Sequence, residues 1–375
     1  MSTKSLFSHS KEGTRSEPQG YVTAGQPDMN PGGTSRSLDQ RLDLVREHGT
    51  HSLAFATLQT DSARVPVLEY FDNEDGYMAY ARVSILGDRV VVLGEPVCAP
   101  ENVRSVLTSF TRSYPNAAFV QVGESVGRIL EDLGFFINRF GTETILDLED
   151  FSLRGRRRED LRTMLNSALR NGVTVLERGD VAISSAEVDR VNREWLSTRR
   201  VRTGELSFMV RPALHFREPF VRKLYAFVKG KLVGFAYYDP LFRNGEVIGY
   251  HAMTNRYGLD APKGTSYLMD LLMVRYLQEE GVPQFTLGFS PFSRVSAGEH
   301  FKFNLLTKLN FRFDYRCLNF LYNFRGQELR KRKYRSRVEP LYFASKGRLV
   351  TPMVNLLAVC NASNFNPWSQ VFRRA

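Results

Sequence analysis

A dense basic run near the carboxyl end of the chain carries the clearest binding chemistry in the sequence. Six cations fall within residues 330–337, and Tyr334 stands among them. Cations in such a run neutralise phosphates, and an interleaved aromatic ring can stack on a base, so the run indicates nucleic-acid binding. The alternatives are an anionic lipid layer or a solvated surface. The cations are Arg330, Lys331, Arg332, Lys333, Arg335 and Arg337.

A second basic cluster lies in the middle of the chain. It consists of Arg154, Arg156, Arg157, Arg158 and Arg162. Over all 375 residues, 51 Lys and Arg stand against 40 Asp and Glu, which gives a net charge of +11. Two clusters in one basic chain favour an extended polyanion as partner.

A third candidate is the segment 256–272, which follows a predicted strand and opens a long predicted helix. Pro262 and Gly264 form the turn, and Thr265 or Ser266 is placed to cap the helix. Free backbone N–H groups at a helix start attract an anion, and Lys263 adds a full charge. An ordinary capped junction is the alternative.

Two strand ends carry polar residues, and other chemistries lack support. Ser290 and Ser293 follow a strand in the sequence LGFSPFSRV, and Glu95 follows another in VLGEPV, although plain turns explain both. No GxSxG elbow indicates a hydrolase, and the six histidines form no HExxH pair that would indicate zinc. The three cysteines have no CxxC spacing, which is typical of a reducing compartment.

The elements that must position these residues predict a mixed α/β (α+β) fold. Residues 1–37 are polar and aperiodic and predict a disordered tail. Residues 38–152 begin with a short predicted helix that ends at Gly49, and from residue 52 to about residue 148 they show the order βββαβαβ. Residues 153–345 repeat that theme and end in the basic segment. Residues 346–375 predict a short apolar helix and a tail. No apolar run approaches the roughly 20 residues that span a bilayer.

Taken in order, these segments resemble the carboxy-terminal catalytic domain of the phosphatidylglycerol lysyltransferases and alanyltransferases, the multiple peptide resistance factor family. The similar stretches are VVLGEPV, the linker RFGTETILDLEDFSLRGRRREDLRTMLNSALRNG, DAPKGTSYLMDLL, FTLGFSPFSRV and YNFRGQELRKRKYRSRVEPLYFA. They extend over most of residues 50–345. Their order and spacing make the resemblance specific.

The resemblance implies a fold and an activity. The expected fold is two tandem GNAT-like acyltransferase domains, with the active site in the second. The expected activity moves an aminoacyl group from aminoacyl-tRNA to a hydroxyl, usually that of phosphatidylglycerol. Because the donor is an activated ester, the reaction needs alignment, proton removal and oxyanion stabilisation, and no cofactor or metal.

The resemblance also implies roles for individual residues. Arg256 matches the family's cleft arginine, and Lys331 and Lys333 match its Lys-x-Lys pair, with Lys333 expected at the oxyanion or the tRNA end. The residues expected to bind substrate are Glu205, Ser290, Ser293, Lys263 and Glu143. The residues expected to bind tRNA are Arg330, Lys331, Arg332, Arg335, Arg337, Arg156, Arg157 and Arg158.

Two departures from the family leave the acceptor open. Met253 stands where the family commonly has an acidic residue, and the nearby His251 is the replacement base that we expect, with a packed strand histidine as the alternative. The chain lacks the family's membrane-spanning part, so we expect a cytoplasmic protein, or one peripheral to the inner face of the membrane. The remaining alternatives are a soluble acceptor, a CoA-dependent acyltransferase and a binding protein without activity.

Overall fold

The computed structural model describes residues 34–58, 68–177, 183–198, 208–211, 213–214, 217–296, 300–317 and 323–363. Of the predicted tail, residues 1–33 lie outside these ranges, whereas residues 34–37 lead into the first helix. Thr34 bridges to Asp72, and Ser37 forms a capping box with Gln40. The helix ends at Gly49, as the sequence predicted.

Nine α-helices lie within the described ranges. They are α1 Leu38–His48, α2 Val103–Ser113, α3 Glu124–Asp132, α4 Glu159–Arg170, α5 Ser185–Ser197, α6 Thr265–Glu279, α7 Leu305–Cys317, α8 Phe324–Arg332 and α9 Val350–Ala362. Among them, none is both long and apolar enough to cross a bilayer.

Twelve strands lie within the same ranges. They are β1 Glu69–Asn73, β2 Gly76–Ser84, β3 Asp88–Leu93, β4 Val97–Cys98, β5 Ala118–Val122, β6 Phe136–Asp147, β7 Val173–Glu177, β8 Arg222–Val228, β9 Lys231–Arg243, β10 Glu246–Tyr257, β11 Gln284–Pro291 and β12 Arg337–Ser345.

One mixed sheet contains all of these strands. Its order is β1-β2-β3-β5-β12-β6-β11-β10-β9-β8-β7, with β4 paired to β2. The pairing of β6 with β11 joins the first half of the chain to the second. The predicted α/β class is thereby confirmed, while the predicted domain boundaries stay a prediction.

The two halves repeat one arrangement of elements. In the first, β1, β2 and β3 form an antiparallel meander, α2 follows, and β5 returns parallel to β3. In the second, β8, β9 and β10 form the meander, α6 follows, and β11 returns parallel to β10. Each half thus contains a three-stranded meander, a helix and a strand that returns parallel to the last strand of the meander.

The strand β12 crosses the predicted division of the chain. The sequence places residues 337–345 at the end of the second unit, yet β12 lies between β5 and β6 of the first. Strand pairing over such a distance follows from the path of the whole chain, which local periodicity does not encode.

The helix α6 forms the centre of the larger core. It is buried on almost every side, because it packs between α4 and the sheet. On α4, Leu161, Met164 and Ala168 point inward, with the spacing of one face of an amphipathic helix. This packing fixes the amino end of α6 beside the fork described next.

Candidate active site

A fork between two parallel strands creates the candidate active site. The strands β10 and β11 pair only over Gly249–His251 and Gln284–Thr286, although both continue further. Beyond the last pair lies a cavity of about 1050 Å³. Its walls come from β10, β11, the start of α6 and the helices α7, α8 and α9. Such forks at strand ends are where ligands bind in α/β folds.

His251 stands at the point where the fork opens. Its Nδ1 atom lies 2.8 Å from the carbonyl oxygen of Ser52. Because a carbonyl oxygen only accepts, the ring donates from Nδ1, and Nε2 carries the lone pair. Burial lowers the pKa of His251, although the Glu143 carboxylate opposes this effect. The imidazole is therefore neutral at physiological pH and able to accept a proton.

A bulge in β11 makes room for this ring. The register of β11 against β6 shifts between Thr286 and Phe289, and Gly288 adopts a φ of +74°. A Cβ atom on Gly288 would stand 2.5 Å from Nε2 of His251. Glycine is required here both by the left-handed backbone and by the close approach of the ring.

Lys331 reaches the same bulge from α8. Its Nζ atom donates to the carbonyl oxygens of Gly288 and Phe289, at 2.8 and 2.7 Å. Burial, helped by the Arg330 guanidinium and opposed by Glu143, lowers the pKa of Lys331 to about 7. The lysine thus ties α8 to the bulge and carries only part of a charge at neutral pH.

Glu143 supplies the negative charge behind the fork. It is buried on β6, and its Oε1 accepts a 2.8 Å hydrogen bond from the hydroxyl of Thr286. Its carboxylate raises the pKa of both His251 and Lys331 against burial. Glu143 therefore acts on the site through its charge, from the neighbouring strand.

Arg256 lies further along β10 and faces the cavity. Its guanidinium carbon is 3.6 Å from the centre of the Trp195 ring, and the side chain is buried. Stacking on the ring fixes the plane of the guanidinium.

A buried carboxylate holds α8 against the cavity. Asp270 on α6 accepts hydrogen bonds from Tyr334, Tyr238 and Asn255, at 3.2, 3.3 and 3.2 Å, and forms an ion pair with Arg330. Arg330, predicted to bind tRNA, is thus engaged in an internal ion pair with Asp270. Lys331, predicted for the same role, faces the interior.

The other predicted tRNA-binding cations lie nearer the surface. Arg332, Arg335, Arg156 and Arg157 are exposed, and Arg158 is half-buried over the ring of Phe151. Burial and the charge of Arg335 lower the pKa of Arg158, so the two basic clusters lie close together in space. Arg337 pairs with Asp147 and Glu339.

The start of α6 also borders the cavity. Gly264 occupies the N-cap position with a φ of +99°, and no side chain caps the helix, contrary to the expectation for Thr265 and Ser266. The hydroxyl of Thr265 donates instead to the carbonyl of Pro262. Lys263 and Lys333 both line the cavity. Uncapped N–H groups beside two lysines form a surface suited to an anion.

Two predicted substrate residues lie outside the cavity wall. Ser290 and Ser293 are buried and are not among the residues that line the cavity; Ser293 bonds to Thr142, and the Oγ of Ser290 has no hydrogen-bond partner among the described residues. Alternation along β11 and the tight turn after it point both hydroxyls away from the fork. Glu205 lies outside the described residues.

The sequence did not single out two polar residues of the cavity wall. Burial raises the pKa of Asp314, on α7, to about 7, and Asn310 donates to this carboxyl at 2.9 Å. Gln121 lies at a bulge of β5 with a φ of +58°. A glutamine within the apolar strand AFVQV was a signal for it, whereas nothing local marked Asp314.

The fold and the cavity define a mixed α/β chain with two similar halves and a cleft between parallel strands. Residues 42–345 match the family described as "Phosphatidylglycerol lysyltransferase, C-terminal", and the chain belongs to that family. The resemblance inferred from the sequence is confirmed.

Relatives and solved structures agree with this assignment. A phosphatidylglycerol lysyltransferase of Bacillus subtilis (strain 168) is 26% identical over 308 residues, which cover 74% of this chain and 34% of that protein. One from Staphylococcus aureus (strain MRSA252) is 25% identical over 327 residues, covering 82% and 36%. The chain thus spans about a third of the length of these relatives. The structure of L-PGS from Bacillus licheniformis superposes with a TM-score of 0.69 at 22% identity, covering 90% of this chain and 98% of that one.

Proposed function

We propose that this chain transfers an aminoacyl group from aminoacyl-tRNA to a hydroxyl of phosphatidylglycerol or a related lipid. The observation that carries the proposal is the fork between β10 and β11, where a neutral His251, Lys331 and Arg256 line one cavity in a member of this family. The names of the relatives supply the lipid and the transferred group.

The reaction exchanges one ester for another. The acceptor oxygen attacks the carbonyl carbon of the aminoacyl ester, and Nε2 of His251 takes the proton of the acceptor hydroxyl. A tetrahedral oxyanion forms, and Arg256 and Lys333 lie on the cavity wall as cations to stabilise it. The bond to the ribose oxygen of the tRNA then breaks, and His251 returns the proton to that oxygen. Lys331 and Glu143 act as positioning residues.

The two substrates require different surfaces. We assign the tRNA to the surface where the two basic clusters, within residues 154–162 and 330–337, lie close together. The exposed cations that would contact its phosphates are Arg332, Arg335, Arg156 and Arg157. Lys263 and the uncapped start of α6 suit the phosphate nearest the reacting ester. The apolar wall from α7 and α9 suits lipid chains. We therefore place the protein at the inner face of the membrane, in contact with the cytoplasm.

The test is transfer by the purified chain. A pool of charged tRNAs carrying a labelled amino acid is incubated with detergent-solubilised phosphatidylglycerol, and lipid-bound label is counted with and without ribonuclease. Lipid labelling that ribonuclease abolishes is expected. Arg256→Ala and His251→Gln should each reduce it by roughly a hundredfold, the scale of one oxyanion contact or one acid–base group.

The matched control is Lys229→Gln, which removes an exposed cation at the hairpin between β8 and β9, outside the cavity wall. This variant should keep full transfer. Absence of ribonuclease-sensitive transfer to any lipid would refute the proposal.

A second candidate is the same chemistry on a soluble acceptor. The observation that favours it is Met253, which lines the cavity and packs among apolar side chains at a bulge of β10, where the family commonly has an acid. The same incubation decides between the two candidates when small molecules replace the lipid. Label in a water-soluble product, with none in lipid, would select the second.

A further inference from the structure

The helix α7 shows its apolar side to solvent. Leu305, Leu309 and Phe313 recur every fourth residue and form a stripe on the outer surface, with Leu305 exposed by 60% and Phe313 by 57%. The side facing the protein carries Thr307 and Phe311, both buried. A helix in a globular protein normally turns its leucines inward, so this reversed pattern marks an interaction surface.

The stripe continues onto the start of α9. The side-chain amide of Asn304, which caps α7, donates to the carbonyl oxygen of Arg348 at 2.8 Å. That bond places residues 347–350 beside the first turn of α7. Leu349 and Val350 are exposed by 68% and 72%. We call the combined surface the apolar face; it consists of Leu305, Leu306, Leu309, Phe313, Leu349 and Val350.

Cations follow the apolar face along its length. Lys308, Arg312 and Arg316 have the same four-residue spacing as the stripe and lie three positions after its members. Asp314 is the single acidic side chain in the sequence of α7, and Asn310 bonds to it. The face therefore combines exposed leucines with a parallel row of positive charge.

The apolar face borders the cavity. Phe313 belongs to the apolar face and also lines the cavity. Met353 and Leu356, which follow the exposed start of α9, line the cavity as well. Because Phe313 is more than half exposed, the cavity reaches the surface at this side chain. A molecule held at the face would lie next to the entrance.

We propose that the apolar face docks the protein onto an anionic phospholipid surface. Leucine and phenylalanine side chains enter the boundary between headgroups and acyl chains, while the row of cations pairs with lipid phosphates. Lys and Arg are suited to this position, because their stems reach along apolar surface while the charge stays at the headgroups. Exposed leucines bordered by cations match an anionic bilayer, which offers an apolar interior beneath a layer of phosphates. The orientation brings the cavity entrance to the bilayer, and in that respect the inference rests on the proposed function.

Vesicle binding tests the docking separately from catalysis. The full chain is sedimented with phosphatidylcholine vesicles that contain phosphatidic acid, which has no headgroup hydroxyl and thus is no acceptor. The chain should bind these vesicles and release in high salt, because the cations are screened. The variant Leu305→Glu/Leu309→Glu should partition at least about thirtyfold more weakly, since each lost leucine accounts for roughly fivefold and the new carboxylates are repelled.

Two further variants separate the contribution of the apolar face from that of exposed leucines elsewhere and from that of charge. Leu86→Glu alters a leucine that is more exposed than Leu305 or Leu309, at the hairpin between β2 and β3, and should bind like the wild type. Lys308→Gln/Arg316→Gln removes two cations of the row and should bind anionic vesicles roughly tenfold more weakly, or more, at low salt. Wild-type binding by the Leu305→Glu/Leu309→Glu variant, or no sedimentation of the wild type, overturns the inference.

Transfer in detergent separates this inference from the proposed function. Leu305 and Leu309 do not line the cavity, so their double variant should keep transfer to detergent-solubilised phosphatidylglycerol while losing transfer to vesicles. A wild type that binds vesicles but transfers nothing would refute the function and leave the docking intact. A wild type that transfers in detergent but ignores vesicles would refute the docking alone.

Discussion

Replacement of Asp270 by Asn should reveal how strongly the candidate site depends on one buried ion pair. The carboxylate is fully buried, and the Arg330 side chain that it neutralises is 24% exposed. Loss of one partner from a buried pair costs about 3–5 kcal/mol, because the remaining charge stays desolvated. Since Arg330 keeps partial access to water, we expect the lower end, about 3 kcal/mol.

The same substitution should also disturb the cavity. Tyr334, Tyr238 and Asn255 all donate to the Asp270 carboxylate, and the substitution leaves one oxygen and one amide group in its place. An amide offers a donor where four donors, Arg330 among them, already converge, so part of the network loses its acceptor. The helix α8, which carries Lys331 and ends beside Lys333, is then held less firmly, and transfer should fall together with stability.

Urea unfolding, followed by the fluorescence of Trp195 in the cavity wall, measures the free energy of unfolding. The control is Asp260→Asn, which breaks the exposed pair with Lys231 and should leave the free energy of unfolding nearly unchanged, because water screens this pair. A double-mutant cycle with Arg330→Gln should give a coupling energy of about 1–3 kcal/mol. If Asp270→Asn costs no more than Asp260→Asn, or if the two substitutions simply add, the ion pair does not hold α8 as we argue.

Three other substitutions test the fork. Gly288→Ala puts a Cβ atom against the ring of His251 in a left-handed backbone, which alone costs about 1–2 kcal/mol; kcat should fall at least about tenfold as the ring moves. Ser290→Ala removes a buried hydroxyl without a partner among the described residues, so the unfolding free energy should stay unchanged or rise by about 1 kcal/mol. Lys331→Met removes a group whose pKa is lowered from 10.5 to about 7 in the folded chain. Because the unfolded chain keeps this proton to higher pH, wild-type stability should gain from Lys331 as pH rises from about 7 to 10.5 and lose that gain as pH falls, and the variant should lack this dependence.

Each of these expectations has a clear opposite. Unchanged kcat in Gly288→Ala would show that His251 does not need its position against the bulge. A loss of stability in Ser290→Ala would show that the hydroxyl has a partner, and a loss of transfer with intact stability would restore its predicted role in substrate binding. Equal pH dependence in Lys331→Met and the wild type would show that Lys331 keeps an ordinary pKa.

Much of the candidate site was predicted from the sequence because its residues belong to local motifs. Lys263 follows from the turn before α6, and Arg256, Lys331 and Lys333 follow from the family's stretches; all four line one cavity, as does His251. The sequence on either side of each of these residues is enough to identify its position in the motif. For the same reason, the α/β class was visible in the periodicity.

Other features depend on contacts between distant segments. The sequence shows six cations in 330–337, but only packing against Asp270, sixty positions earlier in the chain, turns Arg330 inward. Likewise β12 finds its place between β5 and β6, and Ser290 turns away from the fork. Within a run of charges, no local sequence rule distinguishes a cation that will be buried from one that will be exposed. Which cation is buried depends on which acidic side chain a distant segment brings next to it.

The sequence by itself therefore determined the family, the fold class and several of the residues that line the cavity. Only the tertiary structure decided the tautomer of His251, the lowered pKa of Lys331 and the outward apolar face of α7. The physical reason is common to all three. Hydrogen-bond partners, desolvation and exposure are properties of the space around a side chain, and long-range packing of α8, β11 and α7 creates that space.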